Sequence, residues 1–351
     1  MDPRTADLTT VALWEGGTAV RLAEVPLPDL KPGEVLVRVR LATVCGSDRH
    51  TVTGRRRSPA PSVLGHEAVG EVVALGPDGA RAVDGHRLAP GDRVVPGVAV
   101  ACGACDRCVA GRTAKCRAVR KVGHESFESE WALSGTYARH LVLPAGATLA
   151  RVPARLPDEL AAPAACATAT VMAVVEAAGP LGGRRVLVSG AGMLGITAVA
   201  AARDAGAAEV VVTDPDPARR GLALRFGATS ARAVDEPVGL VDVAIELSGA
   251  SPAVARCLDV LDVGGRLVLA GSVAPAPTVA LDPERVVRGW LTVTGVHNYE
   301  PRHLGAALDL LDRTRDAVPW RELVSAPVPL DALGDVLAGP PGTAPRVAVR
   351  P

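Results

Sequence analysis

The sequence predicts an α/β protein of two domains, one β-rich and one built on a doubly wound parallel sheet. Three observations carry this. A chain of 351 residues is longer than one ordinary domain. Its first 150 residues read as strands and glycine-proline turns with little helical periodicity. After residue 160 the texture changes to alanine-rich helix, and then to apolar strands alternating with helices, which is how a parallel sheet covered on both faces is written.

The elements follow in order. Residues 35–44, VLVRVRLATV, come after the turn signal Lys31-Pro32-Gly33 and read as a β-branched, alternating strand. Val69 to Leu75 reads the same way. GPDGARAVDGHRLAP, residues 76–90, has no periodicity and reads as a surface loop. Leu160 to Ala178 reads as alanine-rich and helical. RVLVSGAGMLGITAVAAARDAGAAEVVVTD, residues 185–214, reads as strand, glycine turn, helix and second strand. VDVAIELSG and GGRLVLAGS supply further buried strands, and WLTVTGVHN, residues 290–298, reads as the last strand of the sheet. A helix from His303 to Arg313 and a final apolar strand, RVAVR, close the sequence and are expected to pack back on the first domain. The expected division is 1–155 with 298–351 for the β-rich domain and 156–297 for the parallel sheet.

Composition narrows the partners. With 48% hydrophobic and 22% charged residues, the chain can bury a full core. Acidic and basic residues balance at 38 each, so no basic field draws nucleic acid or an anionic membrane. No stretch reaches the ~18 apolar residues of a membrane helix, and the N-terminus lacks the apolar core of a signal peptide. The expected location is the cytoplasm, where thiols stay reduced.

Seven cysteines are an odd number, so a complete disulfide framework within one chain is impossible. Four of them, Cys102, Cys105, Cys108 and Cys116, have the spacing C-x2-C-x2-C-x7-C. Thiolates are soft ligands, and four from one short loop suit a closed, structural zinc site. A four-iron ferredoxin run would have three residues before its last cysteine and a proline after it; here there are seven, and then Arg117.

GAGMLG places Gly190, Gly192 and Gly195 between a strand and a helix. The first permits a tight turn, the second lets the backbone approach a pyrophosphate, and the third lets helix and strand pack closely. Asp214 ends the following strand, where a carboxylate accepts both ribose hydroxyls and repels a 2′-phosphate, favouring NAD over NADP. Arg219 and Arg220 could stack on adenine, meet a phosphate, or form a solvated helix face.

Three further cysteines stand apart. Cys45 opens CGSDRH, Cys166 lies in AACATAT, and Cys257 has no motif around it and reads as core. His66 and Glu67 stand in GHEAVGEV. Singly, a cysteine such as Cys166 reads as a small core residue, His66 as a structural histidine, and His50 as a surface residue.

Taken together, CGSDRH, GHEAVGEV, the four-cysteine lobe, AACATAT, GAGMLG and Asp214 occur in the order seen in the zinc-dependent medium-chain alcohol dehydrogenases, and the chain resembles that family from residue 33 to about 298, with a tail that fits. The resemblance implies a GroES-like catalytic domain and a Rossmann domain. It implies two zincs per chain, one structural and one catalytic on Cys45, His66 and Cys166, a ligand set taken from the family. Glu67 would lie behind or beside that metal, and Asp48 would orient the ligand histidine. The metal would lower the pKa of a bound alcohol, and the nicotinamide of NAD would take the hydride. Ser47 and His50 match the family's proton relay, and histidine suits its exit because it titrates near neutrality. Gly190, Gly192, Met193, Leu194, Gly195, Asp214, Arg219, Thr170 and Gly271 would contact the cofactor. Relatives form dimers or tetramers, so a homo-oligomer acting on a small-molecule substrate is implied.

A narrower likeness, in CGSDRHTVTGRRRSPAPSVLGHE with APAACATAT, is to a branch associated with phosphonate metabolism. There Arg55, Arg56 and Arg57 stand between two catalytic segments; guanidinium forks suit phosphonate oxygens, and a solvated loop is the plainer reading. Only eight aromatic residues, two Phe, four Trp and two Tyr, make a ring-walled pocket hard to build and favour a small polar substrate. The rival readings are an enzyme that keeps NAD bound for epimerisation or elimination, and a zinc- and nucleotide-binding structural or sensing protein.

Overall fold

The structure, a computed structural model, describes residues 8–340, 342 and 344–351. The chain divides into two compact units. The first takes residues up to Cys166 with Glu300–Asp312 and Trp320–Pro351; the second takes Ala167–Tyr299 with Arg313–Pro319. The division thus falls after Cys166 rather than after residue 155, and a short piece of the tail, Arg313–Pro319, belongs to the second unit.

The first unit is organised on the strand Val35–Val44. Its apolar side chains are inward, with Val35, Val37, Val39, Ala42 and Val44 all buried in one cluster with Val72, Val94, Tyr137, Leu141 and Val349. On one side it pairs antiparallel with Ala68–Leu75, with register shifts at Leu36/Val37 and Val39/Leu41. On the other it takes His140–Leu143 along its first half and Val347–Arg350 along its second. The β-branched run predicts this central place, since each buried valine or leucine side chain contributes ~1.5–3 kcal/mol. The loop of residues 76–90 is irregular, yet Ala82 and Leu88 are buried in the same cluster and pin it down.

The second unit holds a six-stranded parallel sheet. Its strands in chain order are Arg185–Ser189, Glu209–Thr213, Ser230–Arg232, Val241–Glu246, Leu261–Leu269 and Thr292–Gly295. Across the sheet they run third, second, first, fourth, fifth, sixth. This is the Rossmann order, with its switch point between Arg185–Ser189 and Val241–Glu246, where ligands bind beyond the carboxyl ends of the strands. With the β-rich GroES-like unit, it makes the α/β fold read from the sequence.

Two elements differ from expectation. Leu160 to Ala178 is not one helix: it is a helix Asp158–Ala161, a 3-10 turn Ala162–Ala165, and a helix Ala167–Ala178. Cys166 between them leaves helical geometry, with φ −126° and ψ −67°. Alanine propensity favours a continuous helix, but Pro163 lacks an N–H to continue it. The strand of residues 290–298 shortens to Thr292–Gly295 and stands at the edge of the sheet, largely exposed. Among the described residues no single helix is long and apolar enough to cross a membrane.

Candidate metal centres and dinucleotide site

Cys45 ends the central strand and precedes a short helix, Gly46–Val52, whose first turn carries Ser47 and Asp48. His66 and Glu67 lie just before the partner strand Ala68–Leu75. Cys166 sits at the break after Pro163. Folding brings them together: ligand atoms of Cys45, His66, Glu67 and Cys166 all lie within 4.8 Å of one another. A zinc ion bonded at ~2.0–2.3 Å to sulfur and nitrogen fits a cage of that size, and two thiols with one imidazole are donors zinc prefers. The site is buried, except that Cys166 is half-buried.

The surrounding groups fix the donors. Asp48 Oδ2 accepts from the Cys45 N–H at 2.9 Å and from the Tyr137 hydroxyl at 2.7 Å. Its other oxygen stands 3.3 Å from His66 Nδ1, so Nε2 is turned toward the cluster. Ser47 Oγ lies 3.3 Å from that Nε2. Burial works against protonation of His66, but the charge and hydrogen bond of Asp48 outweigh it and raise the imidazole pKa. Sharing a proton with Cys166 holds the Cys45 thiol well below the usual range, with Arg346 adding to the effect, while the same sharing and burial drive Cys166 up. Two buried thiols this close cannot both ionise cheaply without a cation between them.

Glu67 is fully buried and bound at both oxygens. Arg346 donates to them at 2.7 and 2.9 Å, and Thr43 Oγ1 donates to Oε2 at 2.7 Å. Burial raises the Glu67 carboxyl to about 7 against the pull of Arg346. Arg346 Nη2 also reaches Cys45 Sγ at 3.5 Å, so one guanidinium links the carboxylate to a thiol of the cluster. His124 stacks obliquely on His66, with ring centroids 5.3 Å apart. Arg346, Tyr137 and His124 carry no motif; Arg346 lies inside the apolar tail RVAVR, read only as a strand. A charged residue in an apolar strand was the available signal.

The second cluster, Cys102, Cys105, Cys108 and Cys116, also falls within 4.8 Å, and all four are free thiols. Cys105 Sγ lies 3.5 Å from Cys108 Sγ and 4.0 Å from Cys116 Sγ. These bracket the edge of roughly 3.8 Å in a zinc–thiolate tetrahedron with bonds of ~2.3 Å, and exclude a disulfide. Backbone N–H groups of Arg117 and Cys108 hold the Cys105 thiol down at about 6, while desolvation and its thiol neighbours push Cys108 up to about 12. The N–H groups of Cys102 and Ala118 point at Cys116 Sγ, each at 3.3 Å. Glu300 clamps the lobe from outside, accepting from the Thr113 N–H at 2.9 Å, the Ala114 N–H at 3.1 Å and the Thr113 hydroxyl.

In the second unit, Gly190 has φ +97°, and a Cβ there would lie 2.9 Å from Ser248 N. A Cβ on Gly195 would lie 1.8 Å from Gly190 O, which is the close helix–strand approach the motif requires. Gly192 precedes the helix Met193–Asp204 and has open space beside it. Met193 is buried and Leu194 half-buried. Gly271 meets the loop of Leu247 to Gly249 so closely that a Cβ would lie 2.5 Å from Gly249 N. Asp214 is buried; its oxygens accept from the Ala191 N–H at 2.7 Å and the Asp216 N–H at 2.9 Å, so it also fastens the glycine turn. Each oxygen keeps a second lone pair. Arg219 pairs with Asp216 at 3.6 Å, and Arg220 donates to Asp214 O and Pro215 O at 2.8 and 2.9 Å. Thr170 lies half-buried in the first turn of the helix Ala167–Ala178, and His50 is exposed.

The chain belongs to the zinc-dependent medium-chain alcohol dehydrogenase family. Residues 31–154 match the family described as "Alcohol dehydrogenase GroES-like domain", and residues 194–313 match "Zinc-binding dehydrogenase". It is an oxidoreductase acting on CH–OH groups, with zinc and NAD(P) as cofactors. An L-threonine 3-dehydrogenase from Edwardsiella ictaluri is 36% identical over 297 residues, 80% of this chain and 81% of that one. A zinc-binding dehydrogenase from Sinorhizobium meliloti, solved bound to NADP, is 28% identical with a TM-score of 0.86, covering 98% of this chain and 100% of that one. An alcohol dehydrogenase from Thermotoga maritima is 26% identical with a TM-score of 0.89, covering 99% and 100%.

Proposed function

We propose that this chain is an NAD-dependent dehydrogenase of a small polar alcohol, with catalytic zinc on Cys45, His66 and Cys166 and structural zinc on Cys102, Cys105, Cys108 and Cys116. The observation that carries it is the meeting of Cys45, His66 and Cys166, remote in sequence, within 4.8 Å. Zinc in that set would supply Lewis acidity toward a bound alcohol, and NAD would serve as the hydride acceptor. The chain's own residues do the rest. Asp48, held by Tyr137, keeps His66 in the tautomer that presents Nε2. Arg346 and Glu67 neutralise each other beneath the ligands, so the cluster keeps its charge in a buried site. Ser47 stands beside the ligand nitrogen, where it can take the proton of a substrate hydroxyl, and exposed His50 is the exit to solvent.

The preference for NAD rests on Asp214 and on the two arginines after it. Both have carboxylate or carbonyl partners, so neither is poised for a 2′-phosphate. L-threonine is among the substrates to try, since it is a small, polar secondary alcohol and names the enzyme of the Edwardsiella relative. Self-association through the edge strand Thr292–Gly295 is supported by its exposed apolar neighbours Val287, Trp290 and Val293.

The test is NADH absorbance with a panel of small alcohols, alongside metal analysis. Turnover with two zincs per chain is the expected result. Cys45→Ser should lose one zinc and turnover while keeping the fold by circular dichroism. A Cys45→Ser protein that retained full metal and activity would remove the catalytic assignment. A requirement for no added NAD, with net isomerisation of substrate, would instead favour a tightly held cofactor.

A further inference from the structure

Two cations stand on the segments that flank the catalytic cluster, without acidic partners among the described residues. Arg56 is half-buried, whereas its neighbours Arg55 and Arg57 are exposed. Its N–H donates to His50 O at 2.9 Å, which folds the loop after the helix Gly46–Val52 back on itself. Lys121 is also half-buried and ends the short strand Arg120–Lys121. The segment it begins is pinned to the Arg56 loop and to the metal ligands at two places. The Phe127 N–H donates to Pro61 O at 2.8 Å, and Gly123 sits so tightly on Gly65 that a Cβ there would lie 2.1 Å from Gly65 O. Between those pins His124 lies against His66.

Burial and then Arg56 and Lys115 lower the Lys121 pKa, and the only opposing influence is the Cys166 thiol. Arg56 also acts on His124, which desolvation holds down at about 3. His124 Nδ1 faces Val122 O at 2.7 Å, so the ring donates there. Glu125 is the nearby acid on this segment, and its oxygen accepts from the Lys121 backbone N–H at 2.9 Å. Among the described residues neither Arg56 nor Lys121 is joined to a carboxylate. Two thiolates balance a divalent ion, so the positive charge of this pair is not cancelled by the metal centre either. Half-burying two like charges together costs free energy unless an anion shares them.

Resting on the dehydrogenase reading above, we propose that Arg56 and Lys121 form an anion subsite beside the Cys45–His66–Cys166 cluster, so that the substrate is a small alcohol bearing a carboxylate or phosphonate group. A guanidinium fork with a separate ammonium suits an oxyanion with two or three oxygens. This singles out Arg56 from the triplet and adds Lys121, one of only three lysines in the chain.

The experiment has a binding arm and a turnover arm, both on the zinc-loaded full chain. Methylphosphonate and acetate are titrated calorimetrically into the wild type, Arg56→Gln, Lys121→Met and an Arg55→Gln/Arg57→Gln control. Each subsite variant should weaken the preferred anion about tenfold or more, while the exposed-arginine control matches the wild type. The stronger of the two anions tells which headgroup the subsite takes. In the turnover arm, 2-hydroxyethylphosphonate and 3-hydroxypropionate are compared with 1,3-propanediol, and L-threonine with L-threoninamide. The kcat/KM ratio of anionic to neutral partner should be about tenfold or more in the wild type and collapse toward one in the variants, through KM. Anion binding lost in the variants, with no alcohol oxidised, would uphold the subsite and sink the dehydrogenase reading. Oxidation with a ratio near one, and anion affinity equal in wild type and variants, would sink the subsite and leave the dehydrogenase standing.

Discussion

Replacing Cys116 with serine tests what holds the lobe of residues 102–116. In that stretch only Ala114 and Cys116 are buried, so apolar packing contributes little. Ordering its 15 backbone units costs on the order of 15 kcal/mol at ~1 kcal/mol each. A four-thiolate zinc site supplies about 10–16 kcal/mol, which matches that cost. Cys116 receives two backbone N–H groups and stands 4.0 Å from Cys105. Without its sulfur the cage opens, and the Glu300 clamp on Thr113 and Ala114 is left to hold one end. The assays are zinc content after dialysis against a chelator, and limited trypsinolysis read by mass spectrometry. The variant should retain one zinc of two and be cut after Arg107, Arg112 or Lys115 under conditions where the wild type stays whole. Two retained zincs and unchanged resistance to trypsin would refute the reasoning, because the lobe would then owe its order to something other than the thiolate cage.

Tyr137→Phe deletes the 2.7 Å bond to buried Asp48; it should lower catalytic zinc affinity or kcat/KM by about 10–100-fold and stability by ~1.5–3 kcal/mol, read by chelator competition and urea unfolding, and an unaffected enzyme would remove Tyr137 from the support of His66. Asp214→Gly should raise the KM for NAD and improve NADP, and kinetics with both cofactors would contradict the ribose role if the preference did not move. Burial, then Arg38 and Arg139, lower the pKa of His140 from its ordinary 6.5. The unfolded chain therefore takes up this proton first, and stability falls as pH drops below 6.5. His140→Gln should flatten that part of the Tm–pH curve, and parallel curves for the two proteins would count against the assignment.

What could be read in the sequence was local. The thiol lobe and the GAGMLG turn each spend their information within about one loop, so spacing alone defines their chemistry. Cys45, His66 and Cys166 are different. Nothing in their spacing says that they meet; it took a central strand, its antiparallel partner and a helix break to bring them together, and only the family likeness anticipated it. The break at Cys166 is hard to see in the sequence, because a run of alanines outweighs one proline in propensity and not in the backbone. Arg346 and Tyr137 were silent for the same reason as the cluster: their partners are supplied by strand pairing and packing.

The grip of Arg346 on Glu67 spans 279 positions of the chain. During synthesis a ribosome must therefore reach residue 346 before the Glu67 carboxylate acquires its counter-charge. Until then the early half carries an unmatched acid and loose thiols, and a product halted short of residue 346 would be a scaffold with its keystone absent. The pairing thus makes the first cluster depend on a residue synthesised long after its thiols and imidazole.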